Sequence, residues 1–405
     1  MSALPFLQDP YPAYAAWREA GPIHWSEDFF GGAWVLARHA DVDAVLRDDQ
    51  RFSARRTGGW VVQGEQQRGE LRAFQALFAR AMLFVDGQDH ARLRQVLNAG
   101  FRPSALQALV PRIEARVRER LDAVDAAAGF DFMHAVAGPL PAEVIAMLMG
   151  IGEPDHERFA AWTEDLAAFI GAMTPTPELA RRAQRSLLEM SAFFTALLRE
   201  RRHAPGDGLL GLLLQAGQQG RVEEGAELLA QCAMLLFAGH ETTRNLLGNG
   251  LLALLRHPAQ WQLLCREPQR VGDAVRELLR YDSPVQYTGR RVAQDLALHG
   301  HRLRRGDLVV ALIGAANRDP RRYDDPDRLD VTRKAGGLLS FGRGAHVCIG
   351  AALTQMEGEV VLRQVLARWP RLGLADGDEA ACWNGNAVYR GVRALWVQEG
   401  TQVSP

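Results

Sequence analysis

Phe341-Gly342-Arg343-Gly344-Ala345-His346-Val347-Cys348-Ile349-Gly350, followed by Ala-Ala-Leu-Thr, is the stretch on which the reading of this chain turns. Glycines at 342, 344 and 350 let the backbone take positive φ and approach a neighbour closely. A helical run starts directly after Cys348, so its first amides and its dipole face the thiol and favour the thiolate. A thiolate held on a Gly-rich turn is a soft, strongly donating metal ligand. The plainer reading, a buried structural cysteine beside a glycine turn, is the commoner one for a lone Cys. A phosphate loop is excluded, because the glycine spacing fits neither the dinucleotide fingerprint nor the Walker pattern.

Outward from this loop, a helix is predicted over 350–369, and the longest helical signal of the chain covers 223–256. In that signal Leu228, Leu229, Cys232, Leu235, Leu236, Gly239, Thr242, Thr243, Leu246, Leu247 and Gly250 recur on one side at helical spacing, and His257-Pro258 ends it. Between 103 and 201 the pattern is again helical, with breaks at 139–141, 150–154 and 174–177. Strand-like runs occur at 33–36, 296–299 and 308–313, and an apolar piece at 60–64. The fold class read from this is mainly α with small β-sheets, α+β rather than alternating βαβ. No repeat and no long linker divides the chain, so a single domain over 1–405 is expected. Its β-rich part lies mainly in 1–65 and 284–400 and its helix-rich part mainly in 86–282 and 350–369.

Composition sets the outer bounds. The 405 residues carry 47 Lys+Arg against 48 Asp+Glu, a net charge of −1, which argues against nucleic acid or an anionic membrane as partner. Lys334 is the only lysine. The four cysteines, Cys232, Cys265, Cys348 and Cys382, show no CxxC spacing, so neither a zinc knuckle nor a disulfide framework is suggested. The first residues have no basic or apolar signal-peptide character, and no apolar run approaches the ~20 residues needed to span a bilayer. A cytoplasmic protein is expected.

Three further constellations carry chemistry. Glu277-Leu-Leu-Arg280 sets an acid and a base at i, i+3 on one helix face, by itself a common ion pair. Ala238-Gly239-His240-Glu241-Thr242-Thr243 puts glycine and β-branched residues in the middle of a leucine-rich helix. That conflict marks either a functional site or a packing glycine with threonines bonded back to the preceding turn. A zinc protease is excluded, because the HExxH pattern needs His at 244 and the chain has Arg244. Finally His90, Arg92 and Arg94, the pair Arg290-Arg291, and His346 are cations suited to carboxylates, though each alone reads as a surface residue.

The cysteine string resembles the haem-binding loop of the cytochrome P450 superfamily, Phe-Gly-x-Gly-x-His-x-Cys-x-Gly, with every named position matched, and the other motifs follow in that family's order along essentially the whole chain. The resemblance implies the family's fold, with haem b between the long central helix and the cysteine-loop helix. It implies Cys348 as the iron ligand, with Phe341, Gly350 and Ala238 also against the haem, and His90, Arg94, Arg290 and His346 on its propionates. Arg290 is preferred over Arg291 by counting back from Asp295. Thr242 is implied as the hydroxyl facing dioxygen and Glu241 as the acid of the proton relay. Glu277, Arg280 and, from Asp325-Pro326-Asp327-Arg328, Arg328 are implied as a structural cluster.

The implied function is a haem-thiolate monooxygenase of the soluble bacterial type, oxidising a mainly hydrophobic small molecule, free or tethered to a carrier protein, in secondary metabolism. Electrons are expected from a ferredoxin or flavodoxin, with Arg92 and Arg343 near the docking surface, and a monomer is expected. By resemblance the substrate meets Leu83, Phe169, Met234, Phe237, His240, Val285 and Val388, where His240 either faces substrate or points away. The loops 60–84 and 169–177 are expected to open over the pocket. Competing readings are peroxide-driven or non-oxygenating haem chemistry on the same fold, and a non-haem enzyme using Cys348 as nucleophile. Glu241-Thr242 argues against peroxide-driven chemistry, the motifs leave non-oxygenating haem chemistry open, and Glu241-Thr242 with the ordered cations argues against the non-haem enzyme.

Overall fold

The long helix runs from Ala226 to Leu255, 30 residues, or about 45 Å at 1.5 Å per residue. The sequence periodicity predicts one apolar side, but the computed structural model buries this helix nearly all round. Between Ala230 and Leu254 only Ala238, Gly239 and Thr242 escape full burial. The reason is its position. Helices Pro139–Met149, His156–Ile170, Val271–Tyr281 and Ala351–Arg368 pack around it, and a helix covered on all sides needs no polar face. Gly239 permits one of these approaches: a Cβ there would lie 2.9 Å from Ile145 Cδ1 on the Pro139–Met149 helix. The residues described are 3–55, 72–152, 156–172, 176–375 and 381–400. Residues 60–71 and 173–175 of the two pocket loops expected to open, and with them the apolar piece at 60–64, therefore lie outside the described residues.

Helix ends follow local chemistry. Pro139 opens one helix and Gly150, at φ +73, closes it in the left-handed conformation that glycine tolerates. Thr176 caps the Pro177–Glu200 helix by accepting a bond from the Leu179 N–H at 3.3 Å. The strands are short: β1 (His24–Ser26), β2 (Ala33–Leu36), β3 (Phe52–Ser53), β4 (Phe130–Asp131), β5 (Thr288–Val292) and β6 (Leu296–Leu298). They continue with β7 (His301–Leu303), β8 (Leu308–Ala311), β9 (Leu372–Leu374), β10 (Ala381–Trp383) and β11 (Val392–Glu399). The main sheet has the order β1-β2-β8-β5-β3, with β2 and β8 parallel and the other pairs antiparallel. Central β8, Leu-Val-Val-Ala, is buried throughout, which explains an unbroken apolar run in place of alternation. β11 pairs with β10, β4 and β9, and β6 with β7. The chain is mainly helical with small sheets, as the periodicities imply.

A buried ion cluster ties this frame to the cysteine loop. Glu277 and Arg280 are both fully buried and paired twice, each N···O distance being 2.7 Å. Arg280 also donates to the carbonyls of Asn317 (3.0 Å) and Pro326 (2.7 Å). The third member differs from the expected one. Arg333 Nε reaches Glu277 Oε1 at 3.2 Å, whereas the Arg328 side chain is 62% exposed and pairs with Asp325 and Asp330. Arg328 contributes only its carbonyl, which accepts from Arg280 at 3.2 Å. The turn-rich segment folds back between the two arginines, so the one five residues later meets the carboxylate. Replacing Arg333 by Ala is therefore expected to cost about 1.5–3 kcal/mol, the value of a charge-assisted bond. Arg328→Ala should stay within about 0.5 kcal/mol. Urea unfolding of both variants checks this, and equal losses would overturn the assignment.

Candidate active site

The cysteine loop is anchored before it begins. Asn317 donates to Ser283 Oγ and Ser340 Oγ, both at 2.8 Å, and accepts from the Leu339 N–H at 2.7 Å. Ser340 in turn donates to the Leu279 carbonyl at 2.7 Å, at the end of the helix carrying Glu277 and Arg280. The loop then closes on itself, with the Cys348 N–H donating to the Phe341 carbonyl at 2.8 Å. Gly344 is required: it has φ +70, and a Cβ there would meet Leu46 O at 2.8 Å and Arg47 Cα at 2.9 Å. Gly350 has φ −85, so it does not need the left-handed freedom expected of it. Its lack of a Cβ instead leaves room beside the sulfur, 3.9 Å from where that atom would sit.

Cys348 is exposed. The surrounding protein desolvates the thiolate and so pushes the thiol up, while the Gly350 N–H and Arg94 act in the opposite direction. Desolvation thus outweighs the helix terminus that the sequence suggests. Around the loop the cations gather. The His90 and His346 rings are 4.1 Å apart, and Arg94 donates to the Val347 carbonyl at 2.6 Å. Asp86, unforeseen from sequence, lies 3.4 Å from His346 Nε2 and accepts from Ser53 Oγ and the Ala54 N–H. Burial alone would raise its carboxyl, but these partners hold it well below the usual carboxylate range. Burial, with His346 and Arg94 near, pushes His90 down to about 4. In β5 Arg290 is buried and bonds the Gly289 carbonyl at 2.9 Å, whereas Arg291 bonds the Gly306 carbonyl of the following turn.

The notch in the long helix opens a cavity of about 190 Å³. Leu83, Phe237, Ala238, Thr242, Val285 and Val388 all line it, and Ile170 and Tyr287 complete a wall the sequence did not indicate. Val285 and Tyr389 are held side by side by a β-bridge, and the Gln286 N–H donates to the Val388 carbonyl at 2.8 Å. Thr242 Oγ1 donates to the Ala238 carbonyl at 2.9 Å, so back-bonding and a place at the cavity coexist. The next residue, Thr243, is buried against Thr354 of the cysteine-loop helix, 3.4 Å between hydroxyls.

Three expected substrate contacts fall elsewhere. Phe169 and Met234 are buried in the hydrophobic core, because their helices turn Ile170 and Phe237 to the cavity instead. His240 is fully buried on the opposite side of the long helix, with Nε2 2.9 Å from the Gly138 carbonyl and Nδ1 2.5 Å from Thr163 Oγ1. Glu241 is 3% exposed and opens to a second, polar cavity that also borders Glu164 and Arg244. Arg92 pairs with Glu227 (2.7 Å) and donates to the Arg221 carbonyl, and Arg343 lies 3.4 Å from Asp43. Arg343 does border a groove of about 900 Å³ behind the cysteine loop, together with Arg276 and Arg363.

An accessible thiol, the cation group at His90, Arg94 and His346, and a notch in the long helix fit a flat, doubly carboxylated iron macrocycle. His346 Nε2 is buried and already faces one carboxylate, that of Asp86 at 3.4 Å, so its surroundings suit an acidic group. Burial pushes His240 down to about 4 from 6.5, so it stays neutral in the folded chain. Its stabilising contribution is complete above the unfolded value and is lost as pH falls from 6.5 towards 4. This loss is expected to reach up to about 3 kcal/mol. The difference in unfolding free energy between the parent and His240→Gln, followed from pH 7 downward, should shrink over that window. A constant difference would count against it.

A family model described as cytochrome P450 matches residues 21–370. Polyketide biosynthesis cytochrome P450 PksS of Bacillus subtilis (strain 168) is 34% identical over 397 residues, covering 96% of both chains. Cytochrome P450 107B1 of Saccharopolyspora erythraea is 35% identical over 399 residues, covering 98% of this chain and 96% of its own. Among solved structures, P450BioI in complex with a hexadec-9Z-enoic acid ligated acyl carrier protein superposes with a TM-score of 0.90 at 32% identity, covering 98% of this chain and 100% of that one.

Proposed function

The chain belongs to the cytochrome P450 family, and from that premise we propose that it oxidises a mainly apolar small organic molecule of secondary metabolism, using dioxygen and electrons from a separate ferredoxin or flavodoxin. The observation that carries the reading is the notch: Ala238 and Thr242 are the small and hydroxylic residues through which the otherwise buried long helix meets an apolar cavity. Cys348 would hold the haem iron, and His90, Arg94, Arg290 and His346 would take its propionates. When bound, the haem supplies dioxygen activation and oxygen transfer to substrate.

The chain's own residues do the rest. The Phe341–Cys348 bond and the ties from Asn317 and Ser340 hold the sulfur at a fixed place. Leu83, Phe237, Val285 and Val388 exclude water and select an apolar substrate. Burial raises Glu241 above the ordinary carboxyl value, which suits an acid that holds a proton before passing it on. Thr242 presents the hydroxyl that passes the proton on. The groove bordered by Arg276, Arg343 and Arg363 receives the electron donor. The similarity to a protein solved with an acyl carrier protein supports a carrier-tethered substrate beside a free one. We further read the chain as a single monomeric domain acting in the cytoplasm, a setting suited to four free cysteines. No helix among the described residues is long and apolar enough to cross a membrane.

The dithionite-reduced carbon monoxide spectrum tests the reading. A red-shifted Soret band that Cys348→Ser abolishes is expected, and no haem band in protein grown with adequate iron would overturn it. With substrate in hand, Thr242→Ala should keep binding while product per electron pair falls by roughly tenfold or more and peroxide rises. Unchanged coupling would remove Thr242 from the relay.

A further inference from the structure

The apolar cavity that meets the notch of the long helix is also walled by the main sheet, where β5 begins. Arg291 of β5 is paired with Leu308 of β8, so the two side chains share one side of the sheet. Leu308 packs in one apolar cluster with Tyr287, Val310 and Val388. Tyr287, Gly289 and Arg291 are thus alternate positions on that side, and all three border the cavity. Gly289 carries no side chain, which leaves the strand bare between a phenol and a guanidinium. Arg290 pairs with Val309, which packs in the cluster on the other side of the sheet.

The fold leaves both polar groups uncommitted. Tyr287 is 2% exposed, with its ring edge-on to Phe29 at 5.2 Å between centroids. Its hydroxyl is buried and has no hydrogen-bond partner among the described residues. A buried hydroxyl is costly to leave unmet, and one on a cavity wall can be met by a ligand. Arg291 is half-buried and donates to the Gly306 carbonyl at 2.7 Å, but it forms no ion pair among the described residues. Asp307, the acid that acts on it at longer range, accepts from Trp34 Nε1 at 3.1 Å and the Arg304 N–H at 2.9 Å. Burial lowers Arg291 and raises Tyr287, yet the guanidinium stays charged and the phenol stays a donor. By contrast, the Thr242 hydroxyl on the same cavity is given to the Ala238 carbonyl.

We propose that Arg291 and Tyr287 form a recognition site for an acidic end of the substrate, so that the cavity takes an apolar molecule carrying a free carboxylate. The inference rests on the monooxygenase reading above and names its substrate class. A guanidinium on a mainly apolar wall discriminates by charge, because a matched carboxylate is strongly bonded while an unpaired charge there stays poorly solvated. The planar fork can meet both carboxylate oxygens, and the Tyr287 O–H donates to an oxygen of the same ligand. Leu83, Phe237 and Val285 take the hydrocarbon part and leave it towards Thr242. Of a free and a carrier-tethered substrate the site favours the free acid, since a thioester offers Arg291 no negative charge.

Equilibrium dialysis of radiolabelled decanoate and of its methyl ester against the full chain tests this, because the two probes share an apolar body and differ in charge. The parent should bind decanoate about tenfold tighter than the ester or more, the margin of one charge-assisted bond. Arg291→Gln should remove that preference by weakening decanoate while the ester stays within about twofold, and Arg291→Lys should keep part of it. Tyr287→Phe should weaken decanoate by roughly threefold or more, and an unchanged affinity would remove Tyr287 from the site. Circular dichroism checks folding, and ester binding reports that the cavity is intact. No saturable binding of decanoate, equal binding of acid and ester by the parent, or an equal loss of both in Arg291→Gln overturns the proposal. Tighter binding of the ester than of the acid also overturns it, in favour of a carrier-borne thioester. Dialysis reads binding without a haem band. A missing Soret band would therefore sink the monooxygenase reading alone, and a missing acid preference in haem-loaded protein the carboxylate site alone.

Discussion

A carboxylate with no exposure to solvent must be met by cations, or it would be protonated or the structure would yield. Glu277 is such a carboxylate, and the geometry of the catalytic side depends on how its demand is met. Arg280 takes it from the same helix with two parallel bonds, and Arg333 from the irregular segment beyond Arg328. Both guanidiniums then spend their remaining donors on backbone carbonyls of that segment, at Asn317, Pro326, Asp324 and Asp325. A stretch with little regular structure is thereby held by charge. Asn317 and Ser340 carry the constraint forward to the first residue before the cysteine loop. The thiol is thus located by a chain of buried polar bonds, every member of which would be costly to leave unmet.

The long helix works by exclusion in the other direction. Between Ala230 and Leu254 packing covers it everywhere except at Ala238, Gly239 and Thr242. Small residues in the middle of a covered helix create space, and Thr242 brings a hydroxyl to the edge of a mainly apolar cavity there. One turn of the same helix thus serves several surroundings: Thr242 an apolar cavity, Glu241 a polar one, Thr243 the cysteine-loop helix, and His240 a dry contact with Gly138 and Thr163. Four consecutive residues have four environments because successive positions on a helix point about 100° apart.

Much of the site was legible before any coordinates. The cysteine string was read from local backbone demands, and Gly344 shows such a demand in its positive φ and its contact with Leu46 and Arg47. The Glu277–Arg280 pair is helical arithmetic. The misreadings share a different cause. Arg328 and Arg333 both lie in a turn-rich segment where spacing carries no directional information, so counting could not say which one folds back onto Glu277. Phe169 and Ile170, or Met234 and Phe237, are apolar neighbours on one helix. Which of them meets a cavity depends on the rotation of that helix against its partners. Asp86, Asn317 and Ser340 carried no sequence signal, since single polar residues of these types are everywhere on protein surfaces.

The amino-acid sequence by itself determined the elements and the reactive groups: where helices begin and end, which loop presents a thiol, which helix carries an acid and an alcohol side by side. These follow from interactions within a few residues, set by backbone conformation and helical period. Only the tertiary structure decided which arginine completes the buried cluster, which side of the long helix each residue serves, and that Glu241 and Arg244 share a cavity with Glu164 from another helix. Those outcomes depend on contacts between residues dozens of positions apart, whose relative placement is set by packing a whole core at once, and no local pattern in the chain encodes that placement.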